Sequence, residues 1–296
     1  MTAPLAINWN YSYYCTLNCD HCYSRNRKEK ELCLEDKYKV AENIIKNQVF
    51  IVNIGGGEPI LCDDIYEIIT YLSKNNIRVS LSTNGWFIDD IRAEKLKHSG
   101  LSQVSISIDN ANPEKHDKNR GKAGCFQKAV EAAKRCVDLG MEVVFSTTMT
   151  SENFDVLKDI LDLASSLNIQ GVDFKRIKIS GNASEHLYLE LTKLQESQLY
   201  DNMVTWKGLY PMLDITMVYG EKIIPGLDDG CPCGRISLCI TSNGDVSPCV
   251  YNVTSILGNA IYDDLSDIWI NSKELKYLRE NFKCMGLLKK KISNRR

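Results

Sequence analysis

Apolar residues alternate with polar ones from Ile7 to Tyr14, repeat at helical spacing from Glu35 to Lys46, and run together from Val49 to Ile54 before a group of glycines. That is one strand-helix-strand unit, and the pattern recurs. Helices are predicted over Asp64–Lys74, Asp89–His98, Cys125–Leu139 and Phe154–Leu167, and strands over Arg78–Ser82, Gln103–Ile108, Glu142–Thr147 and Gly171–Arg176. Strands joined by helical crossovers are parallel, and such crossovers are right-handed. The expected fold class is therefore α/β, with six units forming a partial (β/α)6 TIM-like barrel open on one side. Functional groups are expected at the C-terminal ends of its strands.

After Arg176 the pattern changes. A linker-like stretch leads to a helix around Leu191–Trp206, a strand around Leu213–Val218, a cysteine-rich segment from Gly230 and a final helix near Asp264–Glu280. This divides the chain into a barrel domain over residues 1–217 and a small α+β extension over 218–296.

Composition narrows the class of protein. Hydrophobic residues make up 44% and charged residues 25% of the 296 positions, as in an ordinary globular chain. No apolar run approaches the roughly 20 residues needed to span a bilayer. The N-terminus lacks the basic and apolar stretches of a secretory signal, so the cytoplasm is the expected location. A net charge of −2 argues against a broad phosphate-binding face, and neither nucleic acid nor membrane is expected as a partner.

The twelve cysteines matter by their grouping. Cys15, Cys19 and Cys22 form a Cys-x3-Cys-x2-Cys run just after the first strand. Iron–sulfur clusters are normally held by four thiolates, so three in one tight loop leave an iron open for another ligand. A zinc loop, the plainer reading, usually takes paired Cys-x2-Cys or Cys and His ligands. Gly55, Gly56, Gly57 and Glu58 end the second strand, where glycine backbone comes close to a ligand and a carboxylate holds an ammonium group. Alternation along Gln103–Asp109 sends Ser105, Ser107 and Asp109 to one face, a polar stripe that needs partners inside a barrel.

The cysteine run, with His21 before its last member, together with the GGE sequence, resembles the signature of the radical S-adenosylmethionine (SAM) enzymes. The resemblance implies that Cys15, Cys19 and Cys22 hold a [4Fe-4S] cluster whose fourth iron is chelated by SAM. It further implies cofactor contacts from His21, Gly56, Gly57, Glu58, Ser82, Asn84, Ser107, Asp109, Arg120 and Lys175, with residues 181–183 on the adenine side.

A second group comprises Cys231, Cys233, Cys239 and Cys249, with Cys284 after the last helix. Asn243-Gly244-Asp245 is a hairpin signal that brings Cys233 and Cys249 together. The spacing Cys-x10-Gly-x4-Cys is similar to the first half of the SPASM and twitch motifs, which carry auxiliary clusters in radical SAM enzymes. The resemblance implies one auxiliary [4Fe-4S] cluster held by Cys233, Cys249, Cys284 and either Cys231 or Cys239, with Cys231 favoured. Cys239 or Cys33 is then a candidate catalytic thiol that returns a hydrogen atom to a substrate radical.

Such enzymes cleave SAM reductively to a 5′-deoxyadenosyl radical that abstracts a hydrogen atom from substrate. The implied substrate is a ribosomally made peptide undergoing crosslinking or epimerisation. A sugar, aminocyclitol or nucleotide is the alternative, and a non-catalytic iron–sulfur protein the alternative of another class. An electron donor such as flavodoxin or ferredoxin is implied, and with a peptide substrate a separate leader-peptide binding protein.

Overall fold

Seven strands lie side by side and parallel in the computed structural model, which describes residues 1–25, 27–218 and 231–281. They are β1 (Ala6–Ser12), β2 (Ile51–Gly56), β3 (Arg78–Thr83), β4 (Gln103–Ser107), β5 (Glu142–Met149), β6 (Gly171–Arg176) and β7 (Asp214–Val218). Helices α1 (Leu34–Lys46), α2 (Ile65–Lys74), α3 (Asp90–His98), α4 (Pro113–Arg120), α5 (Cys125–Asp138), α6 (Leu157–Ser166) and α7 (Lys193–Leu209) make the crossovers. The strand predicted over Leu213–Val218 is β7, a seventh parallel member beside β6.

Alternation gives the sheet two unlike faces. Val52, Ile54, Val79, Leu81, Val104, Ile106, Val143, Phe145, Val172 and Phe174 are fully buried under the helices. The helices meet them with apolar stripes such as Ile65, Ile68, Ile69 and Leu72 on α2 and Leu157, Ile160, Leu161 and Ala164 on α6. Each buried Val, Leu, Ile or Phe side chain contributes roughly 1.5–3 kcal/mol by leaving water. The other face is polar: Asn8, Asn10, Asn53, Ser80, Ser82, Gln103, Ser105, Ser107, Ser146 and Thr148 line a central cavity. In a closed eight-stranded barrel these positions hold packed, branched apolar residues. Here they enclose a chamber.

Three further strands, β8 (Ser237–Ile240), β9 (Asp245–Ser247) and β10 (Gly258–Asn259), extend the same sheet in the order β10-β9-β8-β1. β8 runs parallel to β1, with Ser237 opposite Ala6 and Ile240 opposite Trp9. The division expected at 217/218 thus separates segments of one continuous sheet, because β8 covers an edge of β1 that would otherwise stay unpaired.

Two helical expectations change. α4 was not predicted because Pro113–Arg120 has no apolar stripe; its signals lie at its ends. The Asn112 side chain accepts from Lys115 N at 3.0 Å, Pro113 opens the first turn, and Gly121 closes the helix at φ 65°. The single helix expected over Asp264–Glu280 is two, α8 (Leu265–Asn271) and α9 (Lys273–Asn281), because Ser272 is extended and its Oγ accepts from Leu275 N at 3.2 Å. Among the described residues no helix is long and apolar enough to cross a membrane.

Candidate active site

The chain leaves β1 at Ser12 and enters the loop that carries Cys15, Cys19 and Cys22. Neighbouring segments hold this loop by its backbone. Asn18 N donates to Arg120 O at 3.2 Å, Asn182 N to Cys22 O at 2.9 Å, and Asn182 Nδ2 to Cys19 O at 2.9 Å. Just after β2, Gly57 N donates to Ser12 O at 2.6 Å and Glu58 N to Tyr14 O at 2.8 Å. The glycines serve this packing. A Cβ on Gly57 would lie 2.2 Å from Tyr14 O, one on Gly56 (φ +108°) 2.3 Å from Ser12 O, and one on Gly121 2.7 Å from Asn18 O.

Gly57→Ala is therefore expected to displace the loop and cost the protein about half its iron if two four-iron clusters are present. Gly208→Ala is the control: its Cβ meets nothing within 4 Å. In α7 it should leave iron content unchanged and add about 0.5–1 kcal/mol of stability. Iron analysis with denaturant titration measures both effects.

The loop faces a cavity of about 530 Å³, within the range of small-molecule sites. Cys15, Cys19, His21 and Cys22 line it, with Gly55, Gly56, Gly57, Ser82, Asn84, Ser107 and Lys175 from the surrounding strand ends and Arg120 from the end of α4. Burial raises the thiol pKa of Cys15 and pushes Cys19 up to about 12, so binding a metal here releases protons. The donor set suits a cluster open on one side, with three soft thiols on one loop beside the cavity. A fourth thiol, Cys125, packs in the same buried group as Leu17 and Cys19 but does not line the cavity. Among the described residues no three His, Cys, Asp or Glu side chains converge as around a single metal ion.

Beside the loop lies a buried charge group. Asp109, 1% exposed, accepts from the backbone N of Thr148 at 2.9 Å, while its Oδ2 is ion-paired with Arg120 Nη2 at 2.6 Å and lies 3.6 Å from His21 Nε2. Asp109 N donates to His116 Nδ1 at 3.2 Å. Burial pushes the Asp109 carboxyl up, but Arg120, His21 and His116 together outweigh it and hold the carboxyl below its ordinary range. Burial lowers the pKa of His21, which favours the neutral imidazole at physiological pH. Asp109 itself does not line the cavity; Arg120 and His21 do, and Asp109 fixes their direction.

Glu58 is also turned away from the cavity. Its carboxylate accepts from Thr83 Oγ1 at 2.8 Å, Asn84 N at 2.8 Å and Ile60 N at 3.3 Å, and it has no exposed surface. It thereby holds Asn84, whose Nδ2 lies 3.8 Å from Cys15 Sγ. Burial raises the Glu58 pKa to about 7 despite these bonds. Since an unfolded glutamate titrates near 4.3, the folded chain keeps a proton that the unfolded chain has released. Stability of cluster-free protein should fall as pH rises from about 4 to about 7, by on the order of 3 kcal/mol, and level off above. Glu58→Gln should flatten this slope, which denaturant midpoints at pH 5 and pH 8 would reveal.

The second cysteine group faces the same cavity from the other end. Cys231, Cys233 and Cys249 line it, and the Cys233 thiol is within hydrogen-bonding reach of both others. They lie near the N-terminal end of β8, opposite the start of β1, whereas Cys15 follows the end of β1. The expectation that every reactive group gathers at the C-terminal strand ends is corrected here, because β8 brings its own cysteines in at the opposite end. Cys284 lies outside the described residues.

Cys239 stands apart from the triad. It is completely buried on β8, 3.5 Å from Asn10 Nδ2, and does not line the cavity. Cys33 is exposed at the start of α1, its thiol 3.4 Å from Asp36 Oδ2. Neither thiol suggested as a hydrogen-atom donor reaches the cavity. Lys175 does, with its Nζ 3.2 Å from Asp173 Oδ2. Sequence reasoning passed over Asn10, Tyr23, Arg25, Asp173 and Tyr251, all of which line the cavity. Only inward register on a strand could have flagged Asn10 and Asp173; nothing local marked the others.

A partial parallel barrel with a three-thiol loop at one end of a polar chamber defines a class of enzyme built around a cluster and a bound small cofactor. The chain belongs to the Radical SAM superfamily, whose family model matches residues 9–164, and residues 231–290 match the SPASM iron–sulfur cluster-binding domain. It is 32% identical over 291 residues to the mycofactocin maturase MftC of Mycolicibacterium smegmatis, covering 95% of this chain and 74% of that one. An AdoMet-dependent heme synthase of Methanosarcina barkeri is 25% identical over 308 residues, covering 96% and 87%. In fold it is similar to Streptococcus suis SuiB bound to S-adenosylmethionine, with a TM-score of 0.78 at 19% identity over 94% of this chain and 68% of that one. The protein is thus a radical SAM enzyme that binds a [4Fe-4S] cluster with SAM and carries an auxiliary iron–sulfur domain.

Proposed function

We propose that the enzyme matures a ribosomally made peptide, by crosslinking or epimerisation, in the chamber between two iron–sulfur sites. One observation carries this reading: Cys15, Cys19 and Cys22 and the triad Cys231, Cys233 and Cys249 line a single cavity. The first three are the SAM-cluster ligands. The second three, with Cys284, are the auxiliary ligands. Similarity to a maturase over 95% of the chain supports a peptide as substrate.

When bound and reduced, the first cluster supplies the electron that splits SAM into methionine and a 5′-deoxyadenosyl radical. The chain's own residues bind and aim. Arg120, pinned by Asp109, presents its guanidinium to the methionine carboxylate, a charge-assisted contact strengthened by burial. The backbone at Gly55–Gly57 takes the amino end. Ser82, Asn84 and Ser107 offer hydroxyl and amide groups to the ribose. His21, being neutral, stacks or hydrogen-bonds without adding charge, and Lys175 stands on the adenine side. The enclosing wall keeps water from the reacting centre and holds one carbon of the substrate in line.

The electron donor is a flavodoxin or ferredoxin, and the reducing cytoplasm is where the thiols work. The neutral amides and hydroxyls of Asn8, Asn53, Ser80 and Ser105 also suit a sugar, aminocyclitol or nucleotide, the second reading. Anaerobic reconstitution with dithionite, SAM and deuterated candidates separates the two. Deuterium in 5′-deoxyadenosine from a peptide supports the first; label only from a polyol or nucleotide overturns it.

A further inference from the structure

Both cysteine loops touch one short segment after β6, residues 180–182. Asn182 holds the carbonyls of Cys19 and Cys22 through its side chain and backbone, each at 2.9 Å. Gly181, at φ +60°, lies so close beneath the loop that a Cβ would sit 2.3 Å from Tyr23 O and 2.7 Å from Cys22 O. One residue earlier, Ser180 Oγ donates to Tyr251 O at 3.3 Å. Tyr251 belongs to the auxiliary loop, and its backbone N lies 3.4 Å from Cys249 Sγ. The rings of Tyr23 and Tyr251 then meet edge to face at 5.1 Å, closing the circuit between the loops. The segment is anchored, since Ile177 and Ala183 are buried at its two ends.

We infer that Ser180, Gly181 and Asn182 are positioning residues that couple the two iron sites, so that filling the auxiliary site steadies the loop on which SAM binds. The resemblance places residues 181–183 on the adenine side, and Asn182 in addition bonds to the cysteine loop. A buried carbonyl held by a fixed donor has a defined direction, and three consecutive residues here set the direction of backbone in both loops. Coupling of this kind is reciprocal: an occupied SAM site must equally favour an ordered auxiliary loop. The inference rests on the assignment of both triads as cluster ligands.

The test is a double-mutant cycle on the full, anaerobically reconstituted chain. SAM affinity is read by equilibrium dialysis, and the electron paramagnetic resonance spectrum of the reduced SAM cluster is recorded with and without SAM. The first change is Cys233→Ala with Cys249→Ala, which empties the auxiliary site. The second is Ser180→Ala, which removes the hydrogen bond to Tyr251 O. With the strap intact, emptying the auxiliary site should weaken SAM binding about fivefold or more and alter the SAM-induced spectral shift. In the Ser180→Ala background the same change should add less than about twofold. Asn182→Ala provides a second background should Ser180→Ala fail to fold. Equal losses in both backgrounds, or no loss with the strap intact, overturn the inference. A wild-type spectrum indifferent to SAM would instead strike at the cluster assignment beneath it.

Discussion

Replacing Cys15, Cys19 and Cys22 together with alanine is expected to abolish SAM cleavage while leaving about half the iron, since the auxiliary triad draws on separate residues. Cys19 is buried, and its loop is held from outside by Arg120, Asn182 and Gly57. The emptied loop should therefore keep its path, and the barrel should stay folded. The measurement is iron and sulfide per chain after anaerobic reconstitution, beside 5′-deoxyadenosine formed with dithionite. Loss of all the iron would mean that the second group cannot hold a cluster alone, and loss of none would mean that the first never held one. Cys125→Ala serves as comparison, because that thiol is buried beside the loop yet faces no part of the cavity. It should leave both readings near wild type.

Asp109→Ala should be the most destabilising single change near the site. It leaves Arg120, 7% exposed, without its partner at 2.6 Å. Breaking a buried ion pair from one side costs roughly 3–5 kcal/mol, because a charge stays in low dielectric uncompensated. The Asp109→Asn, Arg120→Met double variant removes both charges and should recover more than half of that loss, yet still bind SAM poorly for want of the guanidinium. Chemical denaturation and SAM dialysis separate the two effects; a double variant as unstable as the single one would refute the pairing as the source. The pH dependence has a definite sign. The carboxyl titrates below its ordinary value in the folded chain, so the pair contributes fully above the usual aspartate pKa of about 3.9 and is lost only as pH falls below it.

Much of this is legible in the amino-acid sequence. Strict alternation named the strands correctly because one face had to be buried under helices, and the three-thiol loop declared its chemistry by spacing that few other functions need. Less legible were α4, where capping rather than periodicity makes the helix, and the joining of β8 to β1. That the thiols of Cys33 and Cys239 do not line the cavity is hidden in the sequence for a related reason. Their position in the order of residues is uninformative about which way a side chain points once a loop or an edge strand has docked.

Local pattern therefore decided the element order, the parallel sheet and the cluster-binding loop, since each depends on residues within one turn or one strand of each other. Tertiary structure decided the rest. It brought two cysteine groups more than 200 residues apart to opposite ends of one chamber, turned Glu58 and Asp109 into supports behind the residues that face the ligand, and laid Ser180–Asn182 across both loops. Those relations arise from long-range packing and register, which pit every segment's burial against every other's, and no short window of the chain contains them.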